Sequence, residues 1–309
     1  MKKIVVFGSI NLDLVTRLSR LPIPGETVLG DHFFTAAGGK GANQAVAAAR
    51  LGVPTHLIGR LGADSFGRQL LDTLQSSGVQ TDGVLVDEAA HSGVAVIAVE
   101  QAGENHIIIV PGANGRVNQE DVTRLTEQLP GSAALLLQLE IPLPAVLLAA
   151  QAARAAGVPV ILDPAPVPLN IPPELYPLVD IITPNEIEAG QLVEFLVDGA
   201  ATAAKASVIL RQRGIGTVIV KLGAQGVFCA TSEETFFIPA FPVQAVDTVA
   251  AGDAFNGAMA TALAEGRSLR EAVTWGAAAG AISTTQMGAQ SSMCDRDTFN
   301  HFLRERGIL

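Results

Sequence analysis

Charge is scarce in this chain. Only 16% of its 309 residues are Asp, Glu, Lys or Arg. That scarcity fits a parallel sheet buried on both faces. Positive charge is the scarcer sign: the net charge is −10 and no basic block occurs. Nucleic acid and anionic membrane are therefore excluded as expected partners. Any bound phosphate would have to be held mainly by backbone N–H groups and a metal. Cysteine is almost missing. Cys229 and Cys294 lie far apart and lack metal-ligand spacing, which points to a reducing compartment and no disulfide framework. The histidines, His32, His56, His91, His106 and His301, are scattered and form no metal or triad pattern. Long apolar runs are absent too. The most apolar region, 133–141, contains Gln138 and Glu140 and is followed by Pro142, so it is no membrane span. The apolar run after Lys2 and Lys3 is too short for a signal peptide, because Asn11 and Asp13 follow at once. A soluble, cytoplasmic protein is expected. No internal repeat or low-complexity linker interrupts the chain. Hydrophobic residues make up 49% of it, enough for a sizeable core in one large α/β domain.

What is present is concentrated at 247–257, Asp247-Thr248-Val249-Ala250-Ala251-Gly252-Asp253-Ala254-Phe255-Asn256-Gly257. Phe255, Ala258, Met259, Ala262 and Leu263 repeat at the spacing of one buried helix face. The first turn of that helix therefore holds Ala250, Ala251, Gly252 and Asp253. Its N–H groups lack intrahelical partners and point outward with the positive end of the dipole, a ready anion site. Gly252 allows close approach to the backbone. Asp253 could simply complement the dipole. A carboxylate beside a bound phosphate also suits a group that takes a proton from an incoming hydroxyl.

The rest of the chain reads as βα units. Strands are predicted at 4–7, 55–60, 134–139, 158–162, 180–182 and 217–221. Helices are predicted at 65–77, 119–128, 144–156 and 269–285, and one runs from the glycine cluster to about residue 51. Asn11 and Asp13 share one face if their segment is extended, although both residue types also favour turns. Asp13 could accept two hydroxyl hydrogen bonds at once, which suits a diol. Residues 36–44, Ala-Ala-Gly-Gly-Lys-Gly-Ala-Asn-Gln, cluster glycines before a helix, a second place where a free helix N-terminus is expected. The spacing is neither a Walker loop nor a dinucleotide fingerprint. Two runs, 92–100 and 105–110, flank a four-residue loop at 101–104 and read as a hairpin. With the strand expected at 27–35, they suggest a small sheet outside the main one. Polar groups end three strands: Gln138 with Glu140, Asp163, and Asn185 with Glu188. Ligands in such sheets bind beyond the carboxyl ends of strands.

The 247–257 stretch and the Gly-Gly-Lys-Gly-Ala-Asn run resemble the two signatures of the ribokinase family, the PfkB carbohydrate kinases. The resemblance extends from Gly8 to Ser292. It implies a ribokinase-like α/β fold, with a mainly parallel central sheet flanked by helices. A small β-sheet lid would come from insertions at about 11–38 and 91–112, with a homodimer formed through that lid. It implies Asp253 as catalytic base and the amides of residues 250–253 as anion hole. Asn11, Asp13, Gly39, Lys40, Gly41, Asn43 and Glu140 would surround the sugar. Asn185 and Glu188 would organise Mg²⁺ with the ATP phosphates, above a nucleotide loop that includes Lys221, Gly223 and Gly226. Lys221 stands where these kinases often carry a hydroxyl residue. K⁺ would bind the Asp247 side chain and the carbonyls of Val249, Ser283, Gln286 and Gly288, with Ser292 completing the set. Ala277 occupies a position near adenine that is usually polar. The implied reaction is ATP-dependent phosphorylation of D-ribose at O5. The alternatives are a sister kinase for deoxyribose, fructose or a nucleoside, and a sugar-binding regulator without catalysis.

Overall fold

The structure is a computed structural model that describes residues 2–100 and 105–309. The loop expected at 101–104 lies outside the described residues. Thirteen strands are described. They are β1 (Ile4–Phe7), β2 (Asn11–Leu18), β3 (Gly30–Gly38), β4 (Thr55–Gly62), β5 (Gln80–Asp87), β6 (Gly93–Glu100), β7 (Asn105–Val110), β8 (Ala134–Leu137), β9 (Val160–Leu162), β10 (Ile181–Ile182), β11 (Thr217–Lys221), β12 (Gly226–Ala230) and β13 (Thr235–Pro239). The helices are α1 (Lys40–Arg50), α2 (Ser65–Ser76), α3 (Gln119–Gln128), α4 (Leu143–Ala156), α5 (Glu186–Val193), α6 (Ala200–Gln212), α7 (Ala251–Ala264), α8 (Leu269–Ser283) and α9 (Arg296–Glu305).

The central sheet runs β13-β12-β11-β10-β9-β8-β1-β4-β5. From β11 to β5 every pairing is parallel; β12 and β13 extend one edge antiparallel. β1 explains the apolar composition. Its four residues are fully buried, with Ile4 and Val6 in one core and Val5 and Phe7 in the other. Period-two alternation thus feeds two apolar layers from one strand. One layer is capped by α1, α2, α7, α8 and α9, the other by α3, α4, α5 and α6.

β2, β3, β6 and β7 form a second sheet in the order β3-β2-β6-β7. β2 is an eight-residue strand that pairs with β6 in parallel and with β3 antiparallel. The strand expected at 27–35 begins instead at Gly30, after a turn in which Glu26 N–H donates to Ile23 O. Three expected strands are shorter than read. β9 starts after Pro159, which has no N–H to donate, and β8 ends before Gln138. β10 starts at Ile181, one residue later than read.

Candidate active site

The carboxyl ends of β1, β8, β9 and β11 converge on the N-termini of α1 and α7. Asp253, in the first turn of α7, is 3% exposed. Its Oδ2 accepts from Asn43 Nδ2 at 2.9 Å and its Oδ1 from Gln44 Nε2 at 3.0 Å. Gln44 is itself oriented, because its Oε1 accepts from Gln138 Nε2 at 2.8 Å. Burial pushes the Asp253 carboxyl above its ordinary range. The Lys40 charge and the two amide donors oppose that rise, while Asp163 adds to it. Asn43 Oδ1 and Gln138 Oε1 are buried without a partner among the described residues, polar atoms that call for water or ligand.

The helix N-terminus beside Asp253 is open. Ala250, at φ 58, turns the chain into α7, and no side chain caps it. Ala251 N–H reaches back to Thr248 O at 3.3 Å, and Ala254 N–H bonds Ala250 O at 2.9 Å. Among the described residues the N–H groups of Gly252 and Asp253 have no acceptor, which leaves two donors aimed into the site.

The free N-terminus expected at α1 is not found. Lys40 N–H donates to Glu140 Oε2 at 3.1 Å, Gly41 N–H to Ser9 Oγ at 3.4 Å, and Ala42 N–H to Ser9 O at 2.9 Å. Glu140 also accepts from Ser9 Oγ at 2.5 Å. The glycines there serve packing. A Cβ at Gly39, where φ is +87, would lie 2.7 Å from Asn11 N, and one at Gly41 would lie 2.7 Å from Gly8 C. The helix is thereby pressed onto the turn between β1 and β2, which brings Lys40 and Asn43 to the site.

Asn11 and Asp13 share a face of β2, as period two requires. Asp13 lies against Gly38, where a Cβ would be 2.5 Å from its Oδ2. Burial, then the charges of Glu140 and Asp253, push the Asp13 carboxyl up to about 7. Asn11 Oδ1 accepts from Asn114 Nδ2 at 2.7 Å, so Asn11 presents its amide N–H₂. Asn114 also exchanges two 3.0 Å bonds with the backbone of Ile10.

Asp163, at the end of β9, is 1% exposed and sits between two lysines. Lys221 Nζ donates to its Oδ1 at 3.1 Å, Gln44 Nε2 to its Oδ2 at 3.0 Å, and Lys40 Nζ is 3.7 Å away. Burial alone would raise Asp163, but the two ammonium groups outweigh it and hold the carboxyl low. Burial alone would lower Lys40; the surrounding carboxylates, Asp253 first, hold it above its ordinary value. Asn185 bridges to Lys221 in parallel register and caps α5 reciprocally with Glu188. Burial and then Asp163 push Glu188 up, against the pull of Lys221.

Asp247 ties the turn before α7 to the loop after α8. Its oxygens accept from Val249 N–H at 3.0 Å and Gly288 N–H at 2.9 Å. Ser283 and Ser292 hydroxyls donate to Gly280 O and Ala289 O, each at 2.8 Å. Gln286 lies in the same loop. Gly223 (φ +52) shapes the turn before β12. A Cβ on Gly226 would come within 2.2 Å of Ile238 O, so that glycine permits the β12–β13 pairing. Ala277 packs its methyl against the core and offers no polar atom. A cavity of about 770 Å³ bordered by Lys2, Lys3, His56 and Glu265 opens at the amino ends of β1 and β4. That is the wrong end of the strands for ligands in this class of sheet.

Gln138 and Asp163 were marked in the sequence as strand-end polar residues, without a role. Gln44, Asn114 and Ser9 carry no signal there, since each acts only through contacts with distant segments.

An open helix N-terminus, a buried carboxylate beside it and a cover of β-strands define a phosphotransferase acting on an alcohol, in a ribokinase-like fold. Residues 1–296 match the pfkB family carbohydrate kinases, and the chain belongs to that family. It is 44% identical to the ribokinase of Haemophilus influenzae over 302 residues, 98% of each chain. It is 35% identical to the deoxyribokinase of Salmonella typhi, over 97% of this chain and 98% of that one. Among solved structures, Arabidopsis thaliana ribokinase complexed with ribose and ATP matches with a TM-score of 0.91 and 36% identity. That match covers 98% of this chain and 99% of that one.

Proposed function

We propose that this chain transfers the γ-phosphoryl group of ATP to the 5-hydroxyl of D-ribose, giving D-ribose 5-phosphate and ADP. The observation that carries the reading is Asp253, buried and held by Asn43 and Gln44 beside two unbonded amides. The ribose–ATP complex of the Arabidopsis relative supports the substrate pair. Asp253 takes the O5 proton as the P–O5 bond forms and the bridging P–O bond of ATP breaks. Its burial strengthens it as a base. Among the amides of residues 250–253, those of Gly252 and Asp253 stand unbonded to meet the charge on the transferring group, while Ala251 N–H would have to leave Thr248 O to join them. Asn11, Asp13, Gly39, Lys40, Gly41, Asn43 and Glu140 surround the sugar; Asn11 donates to it and Asp13 accepts from it.

Asn185 and Glu188 fit a divalent cation. Glu188 Oε1 has no partner among the described bonds, and burial makes that carboxylate costly to ionise alone. Mg²⁺ there would neutralise donor phosphate charge. Asp247, Val249, Ser283, Gln286, Gly288 and Ser292 form a set of hard oxygens suited to K⁺. Lys221, Gly223 and Gly226 lie under the donor phosphates. Ala277, with no polar atom, leaves the base less tightly read. The second sheet acts as a lid on a single domain. A lid excludes water and limits hydrolysis of ATP. Its face opposite Asp13 leaves Phe33 66% and Ile108 63% exposed, a surface suited to a second copy in a homodimer. The protein works in the cytoplasm.

The deoxyribokinase relative favours one second reading, a deoxyribose kinase. ADP release measured across ribose, deoxyribose, fructose and nucleosides separates the two, and silence with all of them would leave only a binding role. Asp253→Asn should fold normally and lose about 10²–10⁴-fold in kcat, the worth of a general base. A near-unchanged kcat refutes the assignment.

A further inference from the structure

The chain has five lysines, and two of them converge on one carboxylate. Lys221 is the unexpected one, since the kinases this chain resembles often carry a hydroxyl residue there. Its side chain is 14% exposed. An ammonium so far out of water needs a compensating charge, and Asp163 supplies it at 3.1 Å. The other Asp163 oxygen is occupied by Gln44 and faces Lys40. An ammonium has three protons to donate. Among the described residues Asp163 is the one hydrogen-bond acceptor that Lys221 Nζ has, so two protons remain for a ligand.

Where they point follows from Gly252. A Cβ there would lie 3.0 Å from Lys221 Nζ. The ammonium therefore rests against the first turn of α7, beside the unbonded N–H groups of Gly252 and Asp253. Two neutral donors and one fixed cation share a recess whose other occupant is the base. Lys40 stands at the other oxygen of Asp163, on the side of α1 that carries Asn43. The cations are thus strung through one buried carboxylate from the acceptor end of the site to the donor end.

We propose that Lys221 is a catalytic residue whose ammonium contacts the phosphoryl group in transfer, and that Asp163 is the positioning residue that holds it there and couples it to Lys40. The proposal rests on the kinase reading above. A fixed cation in this recess stabilises the three equatorial oxygens as charge spreads over them. A lone hydroxyl would supply one donor and no charge.

The experiment is a double-mutant cycle with Lys221→Met, Asp163→Asn and the double variant, read by kcat, by KM for ribose and by Tm. Lys221→Met should lower kcat on the order of 10²–10³-fold, the loss typical of one donor removed from an anion hole. KM for ribose should stay within about threefold, because the lost contact is made in transfer rather than to bound sugar. Lys221→Arg should restore part of kcat. Asp163→Asn should lower kcat and also raise KM for ribose, since it frees both lysines. Each single substitution leaves a buried charge with a partner missing, so the double variant should melt above the value expected from adding the two losses. A Lys221→Met enzyme within about threefold of the unmutated kcat overturns the proposal. So does a kcat loss that tracks Tm and is equal for Lys221→Met and Lys221→Arg, because that is a packing effect. If the unmutated protein releases no ADP with any of the sugars, the kinase reading fails first and the proposal with it.

Discussion

At the scale of single residues, the site is a set of carboxylates placed where charge is costly. Asp13 is the clearest. Its folded-state carboxyl sits at about 7, against 3.8 in a free side chain, chiefly because it is buried and then because Glu140 and Asp253 face it. The native state therefore holds a proton that the unfolded chain has already released. Stability from this group is full below pH 3.8 and is lost as pH rises to about 7. Asp13→Asn, which cannot ionise, should gain Tm relative to the unmutated protein as pH goes from 4 to 8. Thermal melts across that range check it, and a pH-independent difference refutes it. The same substitution removes an acceptor of sugar hydroxyls. Ribose binding should weaken by about 1–3 kcal/mol while binding of a non-hydrolysable nucleotide is unchanged, in separate calorimetric titrations. Function and stability oppose each other at this position.

At the scale of elements, two junctions decide how the site is assembled. One joins the second sheet to the first. Asn114, 1% exposed, bonds both backbone groups of Ile10 and the side chain of Asn11. The start of β6 is packed against the same point, since a Cβ on Gly93 would come within 2.3 Å of both Asn114 and Asn11. Asn114→Leu keeps the branching and the number of side-chain heavy atoms and removes every bond. It should cost about 1–3 kcal/mol in urea unfolding, the loss for polar groups left unpaired in a core. KM for ribose should rise more than KM for ATP, because Asn11 loses its orientation. The other junction is Asp247, which clamps the turn before α7 to Gly288. If K⁺ occupies this clamp, it stabilises the turn whose amides face the phosphate. Initial rates at saturating Mg·ATP and ribose should then rise with KCl and not equally with NaCl at matched ionic strength, since screening alone treats the salts alike. Asp247→Ala should lower activity and abolish the difference. Equal rates in both salts for the unmutated protein would remove the ion from this site.

At the scale of the whole molecule, the two sheets have opposite surface character. The central sheet is covered on both sides by helices. The second sheet leaves Phe33, Val96 and Ile108, all on the face opposite Asp13, more than 40% exposed. Apolar side chains in such a group mark an interface. A homodimer through this sheet is expected in light scattering. Ile108→Glu should shift it toward monomer and raise KM for ribose, because the same sheet carries Asn11 and Asp13. A monomeric unmutated protein would sink this assignment.

Much of this was legible in one sequence. β1, β11 and α3 were read with their observed bounds, because four to ten residues of strong periodicity carry the signal locally. The Asp253 turn was legible because an anion site at a helix start is built from consecutive residues. So were the strand-end polar residues Gln138, Asp163 and Glu188, since parallel strands put their ends on one edge. The strand β5, the antiparallel partner β12 and the helices α5, α6 and α9 went unread. The site's internal wiring was also invisible. Gln44 bonds Asp163 and Asp253, which are more than a hundred residues away from it, and Asn114 reaches back to Ile10. α1's N-terminus was expected to be free, yet Glu140 and Ser9 fill it. Local composition determined which elements form and where an anion can meet a helix. Which amides stay open, which carboxylate faces which lysine, and how far Asp13 is driven from its ordinary ionisation were decided by contacts between segments far apart in the chain. Those energies depend on burial and on distances of a few ångströms, and only the tertiary structure sets either.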